Sequence, residues 1–92
     1  MSEQTRTSTA TYADAIALIA DKLYLHRETE REIVSRINKG QDVFAEQLRE
    51  CYDRRFTEAM AIAEAVSVLY ATEYEEVVDR AYEVMHEQYD ID

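Results

Sequence analysis

The chain has 92 residues, no Pro, one Gly, one Cys, and a formal charge of −10 from twenty acids against ten Lys and Arg. That length holds one domain, and a lone Cys excludes an intramolecular disulfide or a metal finger. Near-absence of Gly and Pro argues for helix almost throughout, 47% hydrophobic content excludes a disordered chain, and the acidity sets the protein against nucleic acid and anionic lipid as direct partners.

The expected fold class is all-α, a small three- to four-helix bundle with a long central helix and short turns. Residues 1–10 are polar and aperiodic and read as a flexible N-terminal tail; residues 11–92 read as a single helical domain. No charged segment precedes an apolar one, and the longest apolar run, 59–71, is interrupted by Glu64. Neither a signal peptide nor a membrane span is expected, and the chain reads as cytoplasmic.

In chain order, the first helical pattern covers about 12–38. Tyr12, Ile16, Ile19, Leu23, Ile33, Val34 and Ile37 recur on one face at helical spacing. His26, Arg27 and Glu30 interrupt that stripe, and Thr29 with Glu32 reads as a capping box, so two helices (12–27 and 30–38) or one bent helix fit equally. Leu18 and Leu25 lie on a second face and, with Val68, are candidate oligomer contacts. Asn38-Lys39-Gly40-Gln41-Asp42 is the clearest turn, with Gly40 suited to a left-handed cap and Asp42 to capping the next helix.

The central helix is expected over about 43–71. Phe44, Leu48, Cys51, Tyr52, Ala59, Ile62, Val66 and Leu69 line one side, widened by Phe56, Met60 and Ala63. Thr72 with Glu75 reads as a capping box opening a last helix. There Tyr74, Val77, Val78, Ala81, Tyr82, Met85 and Tyr89 form an apolar face. Glu75, Glu76, Asp79, Glu83, Glu87 and Asp90 lie opposite.

Charge is unevenly distributed. Residues 1–41 carry six acids and six bases, whereas 42–92 carry fourteen acids and four bases, so the whole net charge falls in the second half. The acids of the last helix, together with Glu73, are spaced some 5–6 Å apart along its face. Such a row reproduces part of a phosphate backbone's potential, since duplex DNA carries a charge about every 1.7 Å of axis. Glu73, Glu75, Glu76, Asp79, Glu83, Glu87 and Asp90 are therefore candidate partner-binding residues, flanked by Tyr74, Tyr82 and Tyr89 as rigid contact area.

Other constellations carry less chemistry. Residues 19–33 resemble the bacterial repressor helix-turn-helix in Ala20, Leu25 and Thr29, but depart from it at Tyr24 and Glu30. The presumed reading helix, 27–36, holds three bases and three acids rather than a basic stripe. Glu83-x-x-His86 has the spacing used by di-iron bundles, yet no inward Glu accompanies it, so no metal or cofactor is expected. His26 and Glu30 sit one turn apart on an apolar face, and Arg55 intrudes on the central stripe, with Glu30 or an acid across an interface as its candidate partner. Cys51 lies on that stripe as a small hydrophobe. No Gly-rich loop and no nucleophile–base pair can be assembled, so no enzyme is expected.

In charge and size the chain is similar to phage-encoded nucleic-acid mimics, including anti-restriction and anti-CRISPR proteins; the likeness is one of composition. It implies an inhibitor that occupies a basic, nucleic-acid-binding protein surface and binds no nucleic acid or membrane itself. Two further expectations stand beside it, a structural or assembly adaptor forming a homodimer or higher homo-oligomer, and a helix-turn-helix regulator.

Overall fold

A computed structural model of the chain describes residues 11–89. Three helices follow one another: α1 over Tyr12–Asn38, α2 over Asp42–Leu69 and α3 over Tyr74–Tyr89. The all-α expectation is met with three helices. The expected 1–10 tail and Asp90 lie outside the described residues.

The start of α1 is fixed by a reciprocal capping box, Thr11-Tyr-Ala-Asp14. The Thr11 hydroxyl accepts from the Asp14 N–H at 3.1 Å, and the Asp14 carboxylate accepts from the Thr11 N–H at 3.0 Å. Two orphan donors of the first turn are thereby satisfied. The box expected at Thr29 and Glu32 does not form. Thr29 donates to the Leu25 carbonyl at 2.8 Å, one turn back, and Glu32 pairs with Arg36 at 2.8 Å. Both contacts belong to an uninterrupted helix, so α1 is one helix and residues 19–33 contain no helix-turn-helix.

Both chain reversals are Schellman turns. After α1, the Gln41 N–H bonds the Arg36 carbonyl and the Gly40 N–H bonds that of Ile37, with Gly40 at φ 75°. Gln41 rather than Asp42 occupies the cap position of α2, without a side-chain cap bond. Arg36 clamps this turn, donating to Gln41 Oε1 at 3.0 Å and standing 5.7 Å over the Phe44 ring. After α2, the Thr72 N–H bonds the Ser67 carbonyl and the Ala71 N–H bonds that of Val68. Here Ala71 takes the left-handed conformation, φ 53°. The capping box expected from Thr72 and Glu75 is absent, because the Thr72 hydroxyl donates to the Glu76 carboxylate at 2.8 Å and α3 begins at Tyr74.

The core lies where all three helices meet. Ile16, Ile19, Ala20 and Leu23 of α1 close on Ala59, Ala63 and Val66 of α2 and on Val77, Ala81 and Met85 of α3. The alanines of α2 and α3 let the backbones approach, and the branched residues of α1 and Val77 fill the space between. Sixteen residues make α3 about 24 Å long, against some 40 Å for α1 and α2. It therefore covers only the half of the α1–α2 hairpin away from the Gly40 turn. In the other half Ile33 is half-buried, and Val34 and Ile37 are each 52% exposed. Their expected place in the core is corrected accordingly: the apolar stripe of α1 continues past the end of the helix that would bury it. None of the helices, over the described residues, is long and apolar enough to cross a membrane.

Candidate functional site: the acidic face of α3

The orientation of α3 is set by Val77, Ala81 and Met85, which are buried against α1 and α2. Glu75, Glu76, Asp79, Glu83 and Glu87 consequently project from the opposite side and are all exposed, as is Glu73 at the cap. Within α3 one Arg and no Lys accompany these five acids, with His86 in the last turn, and the Arg80 guanidinium pairs with Glu83 at 2.9 Å. Glu76 is engaged by Thr72. Among the described residues, Glu75, Asp79 and Glu87 have no hydrogen-bond or ion-pair partner. Five carboxylates with Arg80 as the one guanidinium among them hold a net negative potential along this face, and can attract cations or a basic surface.

The tyrosines divide into two kinds. Tyr74 and Tyr82 are partly exposed beside the acidic row. Tyr74 donates to Met60 Sδ at 3.1 Å. With Phe56, Thr57, Met60, Ala61 and Glu64 it lines an open groove of about 400 Å³. The Tyr82 phenol is pushed above 10.0, chiefly by burial, with Tyr52 and Tyr74 adding to it. Tyr89 is half-buried and engaged by α1. Its ring stacks on Tyr24, with centroids 3.8 Å apart and planes within 4°, and its hydroxyl donates to Asp21. That hydrogen bond is the main reason its phenol titrates above 10.0.

The other polar residues singled out along the chain do not converge. His26 Nδ1 donates to the Tyr52 carbonyl at 3.1 Å, and its ring stacks on Tyr52 at 4.0 Å and leans on Phe56 at 5.1 Å. Glu30 is exposed and has no part in this cluster. Arg55 donates to Cys51 Sγ at 3.0 Å instead of reaching Glu30. Cys51 is half-buried. Glu83 is directed at Arg80, and among the described residues no three His, Cys, Asp or Glu side chains gather as metal ligands.

Sequence reasoning missed two features here. Thr11 and Asp14 have the capping-box spacing in plain view, one residue beyond the polar tail. The Asp21–Tyr89 bond joins positions 68 apart, and neither residue carries a local signal for it. Comparison with protein-family models, with curated proteins and with solved structures returns no match.

Proposed function

We propose that this protein works without chemistry of its own, as an acidic helical inhibitor whose α3 face docks on a basic, nucleic-acid-binding surface of another protein. Anti-restriction and anti-CRISPR proteins of the nucleic-acid-mimic type act in this manner. The observation that carries the reading is the exposed acid row of α3, in which Glu75, Asp79 and Glu87 lack any partner of opposite sign among the described residues. A surface made only for solubility intersperses the two signs, whereas on this helix five acids stand against Arg80 alone among Lys and Arg. Docking requires no movement, since the row is mounted on a helix already anchored through Val77, Ala81 and Met85. The groove beside Tyr74, edged by Glu64, offers a Lys or Arg side chain an aromatic wall and a carboxylate.

Association of this type is steered by charge and weakens as salt rises. The immobilised protein should capture nucleic-acid-binding proteins at low salt and release them at high salt. Replacing Glu75, Asp79 and Glu83 by Gln, Asn and Gln should lower capture at least about tenfold. Undiminished capture by that variant would refute the proposal, and so would a salt-sensitive gel shift of random duplex DNA by the protein itself.

A second reading, an oligomeric assembly or adaptor protein, draws support from the uncovered half of the α1–α2 hairpin, where apolar side chains face water.

A further inference from the structure

Along α2, Phe44, Leu48, Cys51, Arg55, Glu58, Ile62, Ala65 and Leu69 follow one another in alternating steps of four and three residues. That spacing is the seam of a coiled coil. It differs from the row α2 turns toward α3, which runs through Met60, Ala63 and Ser67. The outer ends of the seam are open, Phe44 being 53% and Leu69 76% exposed. On α1, Leu18 and Leu25 stand seven residues apart on the same side of the hairpin, and Lys22 between them reaches across to Glu58 at 3.7 Å. Both leucines are nearly half exposed. The hairpin thus has a second apolar face, on the side where α3 does not lie.

We infer that this face packs against the same face of a second copy, in an antiparallel dimer with a four-helix centre. Three observations select a second copy as the occupant. The first is size: a face some 40 Å long and two helices wide offers roughly 800 Å² per partner, the area of a standard stable interface. The second is charge. Lys22, Glu32, Arg36, Arg55 and Glu58 leave this face close to neutral, with one more base than acid. Two copies of a chain of charge −10 can meet here without strong repulsion, and the antiparallel arrangement sends the two acidic three-helix ends to opposite poles.

The third is the symmetry of the seam. Reversed, its steps of four and three repeat themselves, so antiparallel α2 helices bring Phe44 opposite Leu69, Leu48 opposite Ala65, Cys51 opposite Ile62 and Arg55 opposite Glu58. Large residues meet large or small ones, and at the twofold axis the cation meets the anion. Arg55 has no carboxylate partner in its own chain among the described residues, its guanidinium being held by Cys51 Sγ. A charge placed in an apolar seam without a partner is costly, and the second copy supplies Glu58. Val68, 79% exposed, falls outside the seam and takes no part.

Sedimentation equilibrium of the full chain, from about 1 to 100 µM, should give a dimer. Leu25→Glu with Leu69→Glu should yield a helical monomer, whereas Val68→Glu should stay dimeric. Arg55→Glu alone should raise the dissociation constant at least about tenfold, and adding Glu58→Arg should recover most of the loss. Under oxidation, Ile62→Cys should give a covalent dimer, joining Cys51 of one copy to the thiol introduced at position 62 of the other. The two positions lie three turns apart within one helix, about 16 Å, so they cannot join within a chain. The wild type, with Cys51 alone, should not cross-link. A monomer at every concentration, a trimer, a dimer lost on Val68→Glu but kept on Leu25→Glu with Leu69→Glu, or an Ile62→Cys protein that stays uncross-linked would each overturn the inference. None of these readouts involves the α3 acids, so failure here leaves the inhibitor reading standing, and the reverse.

Discussion

The two ends of the α1–α2 hairpin are built from similar residues and differ in how much of them is buried. Near the Ala71 turn, α3 completes a three-sided core around Ile16, Ile19 and Leu23, each almost fully buried. Near the Gly40 turn the same two helices run on without a third helix above them among the described residues. Ile37 and Phe44 stay about half exposed there, and Ala45 is the buried hydrophobic residue of that stretch of α2. Helical periodicity is equally good in both halves, so an apolar stripe specifies a face without specifying its cover. The stability of the isolated chain should therefore be concentrated in the three-helix half.

The largest expected effect tests that contrast directly. Leu23→Ala removes a fully enclosed side chain and should lower the unfolding free energy by about 2–5 kcal/mol. Ile37→Ala, on the same helix, should cost less than about 1 kcal/mol, because half of its surface already meets water. Urea titration of the two variants at low protein concentration measures both. Equal losses would mean that the distal half is as well packed as the proximal one, and the comparison would fail.

The same contrast explains what could be read beforehand. The helical class, the long central helix, the Gly40 reversal and the inward set of Ile16, Ile19, Leu23, Val77, Ala81 and Met85 are legible, because periodicity and a single Gly are local signals; the continuity of 12–38 is not, since Thr29 and Glu32 have capping-box spacing inside an unbroken helix. Placing Ile33, Val34 and Ile37 in the core required knowing where α3 ends along the hairpin, and that is a tertiary fact. The second reversal was displaced by two residues because Ala71 adopts a conformation for which its side chain gives no warning. In the candidate site the acid row was legible from its spacing. The withdrawal of Tyr89 into a contact with Tyr24 and Asp21 was not, since it depends on how α3 docks. Arg55 and His26 are both polar intrusions by spacing; the sulfur that Arg55 meets stands one turn back on its own helix, whereas the Tyr52 carbonyl that His26 meets depends on how α1 and α2 pack.

The two turns allow a smaller and cleaner comparison, since they share one hydrogen-bond pattern and differ at the left-handed residue. Ala71→Gly should stabilise the protein by about 1 kcal/mol, by relieving the clash of Cβ with the backbone in that region. Gly40→Ala should destabilise it by a similar amount. A Cβ added at Gly40 meets nothing within 4 Å, so the cost there is conformational rather than steric crowding by neighbours. Opposite shifts of comparable size in thermal unfolding would show that the turns are energetically alike. A much larger loss at Gly40 would place more of the fold's stability at the distal end than its packing accounts for.

The smallest effect concerns the boundary between the halves, where α3 ends and Tyr89 meets Asp21. The Tyr89 phenol titrates above 10.0, first because it donates to Asp21 and further through burial and the Asp21 charge. The folded state therefore holds this proton more tightly than the unfolded chain. Its contribution to stability is complete below the unfolded value of 10.0 and is lost as pH rises through the higher folded value. Tyr82 shifts in the same direction through burial and adds to the same alkaline loss. Urea midpoints should thus fall between about pH 9 and pH 11 in the wild type and fall less in Tyr89→Phe. Amide exchange should show the loss beginning at the end of α3, because releasing Tyr89 frees the last turn before it disturbs Val77 or Ala81. If Tyr89→Phe kept the full alkaline slope, charge repulsion across the acidic half would be its cause, and the Asp21–Tyr89 bond would not mark the boundary of the stable region.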